Sequence, residues 1–148
     1  MRMAGPVQYE FGHGLSYSNF TVSEAPCRSS AVPLTTSGTA AESKALGEDI
    51  CLEVTNTGAW ASKHVLLAFL APPPAERLEL GGPAPSDRPR RSLRAFGGVF
   101  LQPGQTKTVK IGLDYKDVSL ADSDGKFSVV KGPWLLTVDS FRKVVVVA

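Results

Sequence analysis

Phe11-Gly12-His13-Gly14-Leu15-Ser16-Tyr17-Ser18-Asn19-Phe20-Thr21-Val22 sets an aromatic turn directly in front of a strand. Two glycines one residue apart reach backbone angles closed to other residues, so residues 11–17 read as a turn rather than a helix. Beyond the turn, Tyr17, Asn19, Thr21 and Ser23 alternate with Ser18, Phe20 and Val22, the period of a β-strand. Phe11, Leu15, Tyr17 and Phe20 carry more apolar surface than a short lead-in needs. They predict a segment pressed against something larger.

Outward from this stretch the strand signal repeats. Residues 25–47, rich in Ser, Thr, Ala and Gly, read as a long, mobile connection. Ile50, Leu52 and Val54 then point one way and Cys51, Glu53 and Thr55 the other, before Asn56-Thr57-Gly58 turns the chain. Residues 64–70 form a nearly continuous apolar run, which predicts a central strand covered on both sides. Pro72-Pro73-Pro74 ends it, because proline cannot donate to a sheet ladder. A turn-rich surface loop follows to Pro89, closed by the basic cluster Arg88, Arg90, Arg91 and Arg94, read as a solvated loop. Residues 93–101 re-enter a sheet, and Pro103-Gly104 suits a type II turn. Residues 106–113 alternate as a hairpin partner, and 114–120 suggest one helical turn. The turn signal Asp122-Ser123-Asp124-Gly125 leads to Phe127-Ser128-Val129-Val130, and the turn Lys131-Gly132-Pro133 leads to Trp134-Leu135-Leu136-Thr137-Val138 and a closing strand, Val144 to Val147, read as buried. About seven strands and no convincing helix predict an all-β, immunoglobulin-like antiparallel sandwich. Residues 1–16 read as a junction segment and 17–148 as the sandwich domain.

With 148 residues the chain can bury roughly 70% of its unfolded surface in one domain. A net charge of +2 is too small to argue for nucleic acid or an acidic membrane as partner. No apolar run approaches the roughly 18 residues of a membrane span. Cys27 and Cys51, the only cysteines, fit neither a redox CxxC pair nor a zinc cage. A disulfide between them is one reading, and two free thiols the favoured one. Asn19-Phe20-Thr21 is an N-glycosylation acceptor sequence, meaningful only if the chain enters a secretory pathway, and the N-terminus shows no signal peptide.

Chemistry is sparse. Asp114, Asp117, Asp122 and Asp124 could supply two carboxylates, but their turn positions favour capping of backbone amides over glycosidase chemistry. His13 reads as a structural residue of the glycine turn and His64 as one at a strand edge; neither belongs to a hydrolytic triad or a metal set. No cofactor is expected. Trp60 and Trp134 are candidates for stacking on sugar rings, with a place in the core as the favoured reading for both.

Three blocks carry a resemblance: residues 11–17, Leu52-Glu53-Val54-Thr55-Asn56-Thr57-Gly58, and residues 92–109 around Phe96-Gly97-Gly98 and Gln102-Pro103-Gly104-Gln105. Together they resemble the C-terminal fibronectin type III-like domain of family 3 glycoside hydrolases, the β-glucosidases and β-xylosidases. His13, Pro72-Pro73-Pro74 and residues 118–126 are similar to the β-xylosidase/α-L-arabinofuranosidase branch. Ala95, Pro133-Trp134 and Val138-Asp139-Ser140 depart from the family pattern; the last stands where Val-Gly is common. The resemblance implies an accessory module of a secreted parent whose catalytic carboxylates lie ahead of the junction motif. No catalytic residue therefore carries over to this sequence. It also implies catalytic domains as the partner, met through Phe11, Gly12, His13, Gly14, Leu15 and Tyr17. The alternative is a freestanding carbohydrate-binding or adhesion module that meets polysaccharide through Trp60 or Trp134.

Overall fold

The computed structural model describes residues 8–9, 14, 16–36, 46–47, 49–74, 88–122 and 124–148. Among them run eleven strands: β1 (Phe20–Glu24), β2 (Val32–Pro33), β3 (Thr35–Thr36), β4 (Ile50–Asn56), β5 (Ser62–Ala71), β6 (Ser92–Leu101), β7 (Thr106–Ile111), β8 (Ser119–Ala121), β9 (Phe127–Val129), β10 (Gly132–Val138) and β11 (Phe141–Val147). One sheet has the order β1-β4-β7-β2 and the other β11-β10-β5-β6-β3, with β8 and β9 forming a separate ribbon. All pairs are antiparallel except β2 with β7. The chain changes sheet between β4 and β5, between β6 and β7, and again before β10, the interleaving of a Greek-key sandwich.

Alternation decides which side chains enter the core. Leu52 and Val54 on β4 and Val109 and Ile111 on β7 face Leu66, Ala68 and Leu70 on β5 and Leu136 and Val138 on β10, all fully buried. Trp134 is the largest side chain among them, and its indole Nε1 donates to the Val130 carbonyl at 2.8 Å. Asn56 is the polar exception. Its Nδ2 donates to the carbonyls of Trp60 (2.8 Å) and Leu101 (3.0 Å), and its Oδ1 accepts from Ser18 Oγ (2.7 Å) and Gly58 N (3.0 Å). The type II turn forms at residues 102–105, with Gln105 N donating to Gln102 O at 2.9 Å and Gly104 at φ 74°.

Several expectations need correction. The segment after β1 is more than a connection, because β2 joins β7 and β3 joins β6. Leu34, between them, is 6% exposed and joins the core. Gly97 makes room for it: a Cβ there would stand 2.7 Å from Leu34 Cδ2. Residues 114–119 make two overlapping turns, Asp117 N to Asp114 O and Ser119 N to Lys116 O, rather than a helical element. The β11 strand is an edge strand with Val144 and Val146 exposed, not a buried one. The β5 strand is fully covered on one face only; on the other Val65 is exposed and Leu67 and Phe69 are half-buried.

Cys27 and Cys51 are joined in a disulfide, so the preference for free thiols gives way. The link ties the segment after β1 to the start of β4, which also meet where Ala25 N donates to Cys51 O. Closing a loop with a sequence separation of 24 restricts the unfolded chain by about 3.5 kcal/mol in the chain-entropy account. Urea unfolding with and without reductant should therefore show a loss of that order. An unchanged midpoint would mean that the link constrains nothing.

Candidate docking surface

Among the described residues, the outer face of the five-stranded sheet carries apolar surface that the fold leaves open. Because β5 is apolar at every position from 65 to 70, the face turned away from the core is as greasy as the one turned in. Val65, Leu67 and Phe69 lie there, beside Leu135 on β10 and Val144 on β11, which pair directly. Val144 is 56% and Val146 73% exposed. Phe96, the cross-strand partner of Leu67, adds an aromatic ring that is 45% exposed.

Between this face and the junction lies an open groove of about 1000 Å³. Ser16, Ser18 and Asn19 form one wall, and Leu67 and Phe69 line the middle. Arg90, Arg91 and Arg142 place positive charge around it, and the Arg91 guanidinium lies 4.8 Å over the Phe69 ring. One end is closed by His64. Its Nε2 meets Asp139 Oδ2 at 2.6 Å, and its ring stacks on Phe20 with centroids 4.3 Å apart. His64 thus sits on a central strand, not at a strand edge. Asp139 has φ 51°, the left-handed backbone that glycine reaches without strain. Glycine is the residue such a turn favours, and the His64 contact gives the aspartate a role in its place.

Phe11, Gly12, His13 and Leu15, expected at the interdomain contact, lie outside the described residues. Gly14 (φ 78°) lines the groove, and Tyr17 is 98% exposed. The two tryptophans part company. Trp134 is fully buried and closed to any sugar, whereas Trp60 is 70% exposed on the loop between β4 and β5. The carboxylates of Asp114, Asp117 and Asp122 are engaged by backbone amides of their turns. Asp114 Oδ1 accepts from the amides of Lys116 and Asp117, and Asp122 Oδ1 from those of Asp124 and Lys126. Asp117 is buried, and desolvation pushes its carboxyl above the usual range, partly offset by the backbone hydrogen bond from Asp114. Neither Asp114 nor Asp117 lines the groove beside the five-stranded sheet.

Comparison with known proteins places this geometry. The model of the family described as fibronectin type III-like domain matches residues 64–141. A probable beta-glucosidase I of Aspergillus flavus is 37% identical over 110 residues, covering 73% of this chain and 11% of its own length. A probable beta-glucosidase I of Aspergillus niger is 32% identical over 134 residues, covering 88% of this chain and 14% of its own. Among solved structures, a beta-glucosidase from Kluyveromyces marxianus superposes with TM-score 0.63 at 26% identity, over 97% of this chain and 15% of that one. The chain thus spans between a tenth and a sixth of the length of these relatives.

An acidic residue on each face of the sheet should separate the docking surface from the core. Leu66→Asp, pointing inward, should cost at least about 3 kcal/mol or abolish folding. Val144→Asp, pointing outward, should change stability by less than about 1 kcal/mol and lower the binding of a hydrophobic dye. Urea unfolding and dye fluorescence check both, and equal losses would contradict the assigned faces.

Proposed function

The chain belongs to the fibronectin type III-like domain family, and we propose that it serves as a non-catalytic accessory module of a family 3 glycoside hydrolase. Its role is to pack on the catalytic body and stabilise it. The observation that carries this reading is the partly exposed apolar face formed by half-buried Leu67 and Phe69 and exposed Leu135 and Val144. A face of that kind is costly to leave in water and suits burial against a larger domain. The lengths of the relatives supply such a body, since the matched segment is a small part of each. Tyr17 and the junction residues 11–15 would extend the contact, with acidic groups of the partner meeting Arg90, Arg91 and Arg142.

The relatives reported above carry β-glucosidase names. These weigh against the xylosidase branch expected from His13 and Pro72-Pro73-Pro74, and favour a parent that cleaves β-glucosides. A second reading, a carbohydrate-binding module, rests on Trp60, whose exposure suits stacking against the apolar face of a sugar.

Expressed by itself, the chain should hydrolyse neither aryl β-glucoside nor aryl β-xyloside. Its tryptophan fluorescence should stay flat on titration with xylan fragments or cello-oligosaccharides. Turnover abolished by replacing one carboxylate would overturn the accessory role. A saturable fluorescence change lost in Trp60→Ala would favour the second reading.

A further inference from the structure

We propose that Asn19 is an N-glycan acceptor. The chain has two asparagines, and the fold treats them in opposite ways. Asn56 is fully buried, with its amide nitrogen and oxygen both committed to hydrogen bonds. Asn19 stands exposed just before β1, an edge strand. Its backbone carbonyl accepts from Thr57 N at 2.9 Å, while its side-chain amide has no hydrogen-bond partner among the described residues. Thr21, which completes the acceptor tripeptide, is also exposed, and its hydroxyl is likewise unengaged among those residues. Phe20 between them turns inward onto His64, so Asn19 and Thr21 share the outer side of the strand.

A second observation points to the compartment in which such transfer occurs. Both cysteines of the chain are joined in the Cys27–Cys51 disulfide, leaving none free. Disulfides form and persist in oxidising compartments, the secretory lumen among them, and an Asn-x-Thr tripeptide on an accessible segment is modified there. Space is available as well. Asn19 borders the open groove with Ser16 and Ser18, small side chains that leave room for the first sugar. It lies on the junction wall of the groove at the His64 end, so the glycan would narrow the groove there while leaving Leu135 and Val144, at the other end of the sheet, uncovered.

In the transfer, Asn19 Nδ2 attacks the anomeric carbon of an oligosaccharide carried on a polyisoprenyl diphosphate. The new C–N bond forms as the C–O bond breaks, the diphosphate leaves with the electron pair, and the amide proton passes to a base of the transferase. The lipid-linked donor and the transferase belong to the host compartment.

The test is secretion of the full chain from a eukaryotic host behind a cleavable leader. The predicted product in the medium migrates as a single slower species that peptide N-glycosidase collapses, converting Asn19 to Asp in the peptide mass. Asn19→Gln and Thr21→Ala should each abolish the shift, and Thr21→Ser should keep it. Because the Asn19 side chain bonds nothing among the described residues, Asn19→Gln should still be secreted with its disulfide formed. A secreted, disulfide-bonded chain with an unmodified Asn19 peptide would overturn the proposal. So would a shift that survives Asn19→Gln.

Discussion

The fold depends on one buried amide. Asn56 ends β4 in the four-stranded sheet, yet its side chain bonds Leu101 at the end of β6 in the other sheet, the Trp60 carbonyl in the connecting loop, and Ser18 in the junction. Its backbone joins the turn at 102–105, through Asn56 N to Gln105 O and Gly104 N to Asn56 O. A carboxamide suits this position because it is donor and acceptor at once, and every partner offers the complementary group. The carboxamide brings no charge into the core, and no hydrophobic residue of similar size could hold two sheets, a loop and the leading segment at one point. Gly58 completes the arrangement: a Cβ there would sit 2.1 Å from Ser18 Oγ, so the loop after β4 and the junction can close only around a glycine.

What could be read from the sequence followed from alternation. The inward residues of β4 and β7 and the turn at Pro103-Gly104 stand where their period and chemistry put them. What could not be read depended on which neighbour an element meets. An apolar run such as 65–70 has the same pattern whether one face is covered or two, and Val144 to Val147 gave no sign of lying at an edge. Leu34 sits in a polar stretch with no period around it, so its place in the core was hidden. Asn56 belonged to an ordinary turn signal, and nothing in Asn-Thr-Gly reveals partners 38 and 45 residues away. The two tryptophans were indistinguishable as letters; one closes the core and the other faces solvent.

The same asymmetry shapes the functional reading. A sandwich that buries both inner faces has no need of a second apolar face, yet the outer side of β5, β10 and β11 retains one beside a basic groove. The junction wall of that groove is tied to the body through Ser18 and Asn56, so the entry of the chain and the uncovered face are held in a fixed relation. A module held in this way can transmit its own stability to a partner, which a floppy tether could not.

Equilibrium urea unfolding of Asn56→Ala, read together with amide exchange at Gly58, tests this account most directly. Leaving the Ser18, Trp60 and Leu101 groups without their partner should cost on the order of 3 kcal/mol. Protection of the Gly58 amide, which bonds Asn56 Oδ1, should be lost with it. A stability change below about 0.5 kcal/mol, with Gly58 still protected, would show that the sheets and the junction are held by something else.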